Sequence, residues 1–579
     1  MNTKKYIYRT LALVALSLSG FGLTSCDSFL EITPMNTVVL ENFWTKRSDA
    51  ISSLMGCYES LQSDDNINRM GMWGEIRSDN IKMGTGISYE LEEILKENIL
   101  STNTICKWGS FYQTINRCNT FCHYAPVVEG IDPNYTETEM KANIAEAVAI
   151  RSLCYFYLAR TFRDVPFTRQ ASISDEQEYR VPATPFNDVL DSLIVDLESV
   201  KDDAVRRYYD YENVDEYHNS ARVTRYFIYA LLADIYLWKG NYDKCIEYGQ
   251  LIVDYKQQQY KDLVSRYGND TKNHIKMFGD FPLITEYVGD ANPLGNAYRE
   301  IFGESSSHEF KYRTTHGNSF ESIFELSFRN RDNKYVFDNF CTSASSYAIG
   351  RLRTCEEFCG GLPSDDGKLF KKTDCRAYES IDCRDINTHG IRKYVMDDIT
   401  GMDRSKSISK IDDVKASKRT DKHANWIVYR LTDVMLMMAE AYAEKGDVEK
   451  AFNICNVVNS RANYKDVADD YTGGSLDKAE YATQETVTNL VFEERHRELI
   501  FEGKRWYDLV RYSLRTGNTK KLASEATLKQ IVDASSVRIR LSDMNMIFLP
   551  YFRDELKVNP YLKQNPAYNK GIDDDMKTN

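Results

Sequence analysis

Leu232-Ala-Asp-Ile-Tyr-Leu-Trp-Lys-Gly-Asn-Tyr-Asp-Lys-Cys245 and Met438-Ala-Glu-Ala-Tyr-Ala-Glu-Lys-Gly-Asp-Val-Glu-Lys-Ala451 are two copies of one pattern. Ala233 pairs with Ala439, Tyr236 with Tyr442, Gly240 with Gly446 and Lys244 with Lys450, at one constant offset. Each copy reads as a helix, a glycine-centred reversal and a second helix. The small residue lets paired helices approach, the tyrosine fills the space between them, and the glycine frees the backbone to turn.

This pairing follows the tetratricopeptide pattern, although about 200 residues of other character separate the copies, so they are not a tandem array. Most of the remaining chain is also helical in period, with apolar residues at three- and four-residue steps through 143–162, 224–239 and 431–445. Residues 265–425 differ: they are rich in Gly, Asn, Asp, Ser and aromatics and read as loops with short strands. Phe320-Glu-Ser-Ile-Phe-Glu-Leu-Ser-Phe328 is the best strand candidate. The expected fold class is mainly α, a scaffold of helical hairpins carrying a loop-rich variable region. Loops held on a rigid frame are where binding sites form.

The N-terminus sets the compartment. Lys4, Lys5 and Arg9 precede a short apolar stretch from Leu11 to Leu23, the form of a secretory signal and too short to span a membrane comfortably. Leu23-Thr24-Ser25-Cys26 has the form of a bacterial lipobox, which predicts cleavage before Cys26 and acylation of its thiol, with palmitate or a similar chain. Expected boundaries are a signal at 1–25, a lipid-anchored tether at 26–40, a helical region at 41–264, the variable region at 265–425 and a C-terminal region at 426–579. The membrane is then met through lipid, with a globular body outside it.

The 579 residues are 42% hydrophobic and 27% charged, ordinary for a globular chain. A net charge of −13 without a long basic run makes nucleic acid and anionic surfaces poor partners, and disfavours polyanionic glycans. No CxxC pair occurs. Cys118 and Cys122 read as core, and Cys341, Cys355, Cys359, Cys375 and Cys383 leave a disulfide open without naming a pairing. No metal site and no cofactor are expected. No Gly-rich phosphate loop, HExxH or GxSxG element stands out, and with 86 acidic residues a facing carboxylate pair arises by chance, so nothing marks an enzyme.

From Glu494 to Ser513 the chain reads ERHRELIFEGKRWYDLVRYS. The spacing predicts a charged amphipathic helix with Glu494–Arg497, Glu502–Arg505 and Asp508–Arg511 pairing along its face, and Leu499, Ile500, Phe501, Trp506 and Leu509 on its apolar side. The same stretch closely resembles the signature of the SusD/RagB family, through Glu494, Arg495, Arg497, Glu498, Glu502, Gly503, Arg505, Trp506 and Asp508 among others. We read these as fold-stabilising. Further stretches are similar to the same family: Asn42-Phe43-Trp44, Ile76-Arg77-Ser78-Asp79-Asn80, Ala145-Glu146-Ala147 with Arg151 and Tyr155, Phe162-Arg-Asp-Val-Pro166, and Phe548-Leu-Pro550 through Gln564-Asn565-Pro566 and Tyr568. Arg163 stands where the family has Gly, and Tyr551-Phe552 where it has Ile-Pro.

The resemblance implies a lipoprotein on the outer face of a bacterial outer membrane. Such a protein captures oligo- or polysaccharide for a SusC-like TonB-dependent transporter, its partner. RagB-like members handle peptides, and a surface adaptor is a further alternative. Sugar rings need flat aromatic faces and planar polar groups. Two loop regions offer them, 72–89 and 287–347, with Trp73, Asn80, Lys82, Tyr89, Tyr298 and Tyr312 as candidate ligand contacts. Trp44, Trp108 and Trp506 are expected in the core.

Overall fold

The computed structural model describes residues 43–174, 177–208, 218–285, 297–302, 319–328, 331–340, 350–359, 366–371, 374–382, 390–400, 415–418, 422–463, 476–529 and 533–569. Tyr312, Cys26, Cys341 and Cys383 lie outside the described residues. No disulfide joins two described cysteines.

The fold is mainly α. Helices α1 (Arg47–Leu61), α2 (Asp64–Glu75), α3 (Gly109–Glu129), α4 (Glu137–Phe162), α5 (Phe186–Val200), α6 (Arg225–Trp238), α7 (Tyr242–Tyr267), α8 (Leu431–Glu444) and α9 (Val448–Ala462) are joined by α10 (Gln484–Leu499) and α11 (Arg505–Thr516). Neighbours stack in a run: α1 on α3, α3 on α4, α4 on α5, α6 on α7, α7 on α8, α8 on α9 and α10. Helix α4 is buried almost continuously from Ala145 to Phe162, and α6 and α8 are buried along most of their length. Most of the buried apolar residues of these helices belong to one continuous core cluster, and a smaller one lies around α11.

The two sequence copies are the hairpins α6/α7 and α8/α9, and their turns match atom for atom. Gly240 and Gly446 have φ of 72° and 80°. The Asn241 and Asp447 N–H groups donate back to Tyr236 O and Tyr442 O, both at 2.9 Å. That 6→1 bond across a left-handed glycine satisfies carbonyls at the end of the first helix. Asn241 Oδ1 and Asp447 Oδ1 then accept from the N–H of Lys244 and Lys450, both at 3.2 Å, capping the second helix. The recurrence of Gly-Asn and Gly-Asp is thus a stop signal and a start signal in adjacent positions.

Sheets among the described residues are two-stranded. Strands β1 (Lys82–Met83), β2 (Ser322–Leu326), β3 (Leu352–Arg353) and β4 (Trp426–Arg430) matter here. Strand β2 falls inside the 320–328 segment expected to be extended. It pairs antiparallel with β4, which runs directly into α8 and so straps the variable region to the scaffold.

The Glu494–Ser513 motif corrects its sequence reading: it is two helices, not one. Helix α10 stops at Leu499, and the chain turns through Phe501 (φ 65°) and Gly503 (φ 70°) before α11 begins at Arg505. A Cβ on Gly74 would sit 1.8 Å from Gly503 O, so two glycines let α2 and this turn touch backbone to backbone. Nor is the motif a solvated face. Glu494–Arg497 and Asp508–Arg511 pair as expected, each at 2.8 Å, but Glu502 does not pair with Arg505. Glu502 holds Lys393 (2.7 Å) and Arg430 (2.8 Å), while Arg495 bridges Asp433 and Asp508. Glu498 accepts from Tyr298, Arg376, Arg430 and Arg461 at 2.5–3.1 Å. The cations hold its carboxyl well below the usual range although burial works the other way.

Candidate functional site

Asp79 and Asn80 link the scaffold to the first candidate loop. Asp79 takes both Arg505 nitrogens, Nε at 2.8 Å and Nη2 at 2.9 Å, a bidentate bond from α11. Asn80 Nδ2 donates to Glu75 Oε1 at 2.6 Å, so its Oδ1 is left to accept from His496 Nε2 at 2.5 Å. Burial and the Arg505 charge push the His496 imidazole down to about 3, so it is neutral with its proton on Nε2. Burial also pushes the Glu75 carboxyl up to about 7. These interlocked groups anchor the point where the chain leaves the core.

From that anchor β1 pairs antiparallel with β3, Lys82 opposite Arg353 and Met83 opposite Leu352. The ladder continues as Gly84 N–H to Arg351 O (2.8 Å) and Thr85 N–H to Gly350 O (2.9 Å). Residues 82–85 of the first candidate loop are therefore fixed beside 350–353, the segment that follows the second. Lys82 Nζ and Arg353 Nη1 both hold Glu356, at 2.5 and 2.6 Å, and Arg353 Nε donates to Met83 O at 2.8 Å. Burial works to raise the Glu356 carboxyl, but the Lys82 hydrogen bond and the two cations bring it below its ordinary value. Beyond this, Ser88 Oγ caps the short helix Tyr89–Leu95, and Tyr89 leaves 69% of its surface in solvent. The helix that Tyr89 opens packs on the strand Lys82–Met83, which carries one cation of the fixed cluster.

The candidate contacts divide. Tyr89 is exposed, and the Lys82 side chain is 13% exposed and paired. Three others are interior, which corrects their reading as surface contacts. Trp73 lies on α2, stacked on Phe111 at 4.9 Å, with Nε1 donating to Ile105 O at 2.8 Å. Helix α2 runs on to Glu75, so the region from 72 is not a loop, and neighbours cover nearly every face of that helix. Asn80 is fully buried in the network above, and Tyr298 is 3% exposed with its hydroxyl donating to Glu498 at 2.7 Å. Trp44, Trp108 and Trp506 are core, each 3% exposed. Sequence reading missed Arg353 and Glu356. Their only signal is two charges three residues apart in a region without a helical period.

A scaffold of helical hairpins with its charged motif locked inside, and with Tyr89 exposed beyond the Asp79–Asn80 anchor, defines a helical frame protein. The profile of the SusD family matches residues 260–568. The chain belongs to the SusD family. It is 24% identical over 523 residues to SusD-like protein P38 of Formosa agariphila, covering 87% of this chain and 92% of that relative. Its structure is similar to surface glycan-binding protein A from Bacteroides uniformis, with a TM-score of 0.60, 19% identity, and coverage of 90% of this chain and 100% of that one. It is likewise similar to a laminarin-binding SusD-like protein, with a TM-score of 0.58, 19% identity, and coverage of 91% and 100%. Among the described residues no helix is long and apolar enough to cross a membrane.

Proposed function

We propose that this chain is a cell-surface lipoprotein that captures oligo- or polysaccharide and delivers it to a SusC-like TonB-dependent transporter in the outer membrane. Family membership supports the reading, as do fold neighbours described as surface glycan-binding and laminarin-binding. The observation that carries it is the pairing of 82–85 with 350–353, against which the helix opened by the exposed Tyr89 packs. In this reading the apolar C–H face of a sugar rests on Tyr89, while Lys82, Arg353 and Glu356 meet hydroxyls at its rim. Such a shallow contact is weak at one site. Acylation at Cys26 compensates by holding the protein beside the transporter, which raises the effective concentration of captured polymer. No chemical step is required of the protein.

The test is affinity electrophoresis of residues 27–579 on a polysaccharide panel including laminarin, with reducing ends measured in parallel. Retardation on at least one glycan without new reducing ends supports capture. New reducing ends would make the protein an enzyme, and no retardation on any glycan would favour a peptide ligand or an adaptor. For the anchor, mass spectrometry of the wild-type N-terminal peptide should show acyl chains on Cys26 and Cys26→Ala should carry none; a mature wild-type N-terminus without acyl mass refutes lipid attachment there.

A further inference from the structure

Residues 167–182 leave the scaffold between two paired backbone segments, Val165–Pro166 and Ala183–Thr184, so the ends of this excursion meet at its base. A surface excursion of that length, with no helix or strand among its described residues 167–174 and 177–182, is either disordered or built for something. Here its described residues are tied down by side chains. Asn119 Nδ2 donates to Thr168 O and Gln170 O, at 3.3 and 3.1 Å. Asn116 Oδ1 accepts from Ser172 N–H at 2.7 Å, and Gln177 spans its own turn, accepting from Ile173 N–H at 2.9 Å and donating to Ala171 O at 3.1 Å. Asn559 reaches in from the C-terminal segment to donate to Val181 O at 2.8 Å.

Between this loop, α3 and the C-terminal segment lies a cleft of about 450 Å³, within the roughly 300–1,000 Å³ usual for small-molecule sites. Its floor is apolar: Ile115, Ala171 and Leu562 are buried there with the Trp108 ring. Two exposed apolar side chains line it, Tyr179 at 49% and Val558 at 67%. The Tyr179 hydroxyl lies against Ser174 O within the same loop. The lining polar groups are mostly neutral amides and hydroxyls. Of the ionisable ones, Glu178 accepts from the Arg180 backbone N–H at 2.8 Å and carries the opposite charge to the Arg180 side chain, and Glu555 is pushed upward by burial while bonded to Trp108.

We propose that this cleft is a second saccharide site, separate from the Tyr89 surface, taking one or two neutral sugar rings. Among the described residues the Gln170 side chain and Asn116 Nδ2 have no protein hydrogen-bond partner, so a purely apolar ligand would strand them, while the lining charges of Glu178 and Arg180 sum to zero and select neither anion nor cation. A ring with one apolar face and a hydroxyl rim satisfies both sides. The inference rests on the proposed glycan reading for the ligand's class and on nothing in the Tyr89 surface, with which the cleft shares no residue.

Saturation-transfer NMR and calorimetry on residues 27–579, with maltose, cellobiose and laminaribiose as probes, test it. We expect at least one disaccharide still to bind the Tyr89→Ala variant, in which the first surface is disabled and the remaining signal is the cleft's, and the cleft variants are compared in that background. Tyr179→Ala should weaken that binding tenfold or more, and Ala171→Phe, which fills the floor, should abolish it while the circular dichroism spectrum stays unchanged. Loss of disaccharide binding in Tyr89→Ala, or full binding in both cleft variants, overturns the second site. A wild type that is retarded by a polysaccharide yet binds no disaccharide overturns the second site alone. A wild type that meets no glycan in either assay overturns the proposed function itself.

Discussion

Replacing Glu498 by Gln tests whether the family motif works as a buried charge lattice. Five carboxylates, Glu321, Asp374, Glu494, Glu498 and Glu502, face five cations, Arg376, Lys393, Arg430, Arg461 and Arg497, in ion pairs that are almost entirely out of solvent. Gln keeps the shape but removes one charge and turns one acceptor into a donor. The cheaper orientation places the amide nitrogen on the Oε2 side. There the Tyr298 hydroxyl can rotate to accept, and Arg376 keeps Asp374 and Glu494, both at 2.7 Å. Arg430 and Arg461 then share a neutral oxygen, leaving one uncompensated buried positive charge. Breaking a buried pair from one side costs about 3–5 kcal/mol. The assay is equilibrium urea unfolding of residues 27–579, with Glu493→Gln as control. Glu493 lies on the same helix but its side chain is 58% exposed, so its change should stay within about 0.5 kcal/mol. A Glu498→Gln variant losing under about 1 kcal/mol refutes the lattice. In the wild type this contribution is present above the unfolded glutamate pKa and is lost as pH falls toward the depressed native value.

Glu75 carries the opposite sign. Its carboxyl is pushed up to about 7 by burial, with Asp79 adding to the effect, so the native state is penalised as pH rises from about 4.5 through 7. Glu75→Gln should therefore gain about 2 kcal/mol on the wild type between pH 5 and pH 8, read from urea midpoints; a pH-independent difference contradicts this. Gly74→Ala drives a methyl into Gly503 O and should cost about 3 kcal/mol or more, whereas Gly109→Ala, whose new carbon meets nothing within 4 Å, should be near neutral in the same thermal unfolding comparison. Arg163 has φ 73° and ψ −85° at an exposed helix end, with one 3.3 Å bond to Asn545. Arg163→Gly should stabilise by up to about 1 kcal/mol by differential scanning calorimetry, and a loss of that size would show that the arginine does more than mark a departure from the family pattern.

The hairpins were legible because their information is local: Gly240 and Gly446 need a left-handed backbone, and the Asn and Asp after them cap the next helix. The 320–328 strand was legible from alternation for the same reason. The break inside the Glu494–Ser513 motif was not. Its one local signal is Gly503, which takes a left-handed backbone, while Ile500, Phe501 and Glu502 carry no helix breaker and are met there by Gly74, Glu75 and Arg430 from distant segments. Residues three apart suggested the partner of Glu502, but in a buried lattice a charge goes to whatever cation the fold brings, here Arg430 and Lys393. Trp73 and Tyr298 failed as surface contacts for a related reason. Composition announces aromatic rings but not which of them the neighbouring helices cover. Tyr89, just beyond the Asp79–Asn80 anchor, was readable only as one of several candidates.

The most direct measurement is a crystal structure of residues 27–579 bound to an oligosaccharide derived from whichever glycan retards the protein. The account predicts a sugar ring against the face of Tyr89, with hydroxyls in hydrogen-bond reach of Lys82, Arg353 or Glu356. An oligosaccharide seated elsewhere, with the surface formed by 82–89 and 350–356 bare, would contradict it.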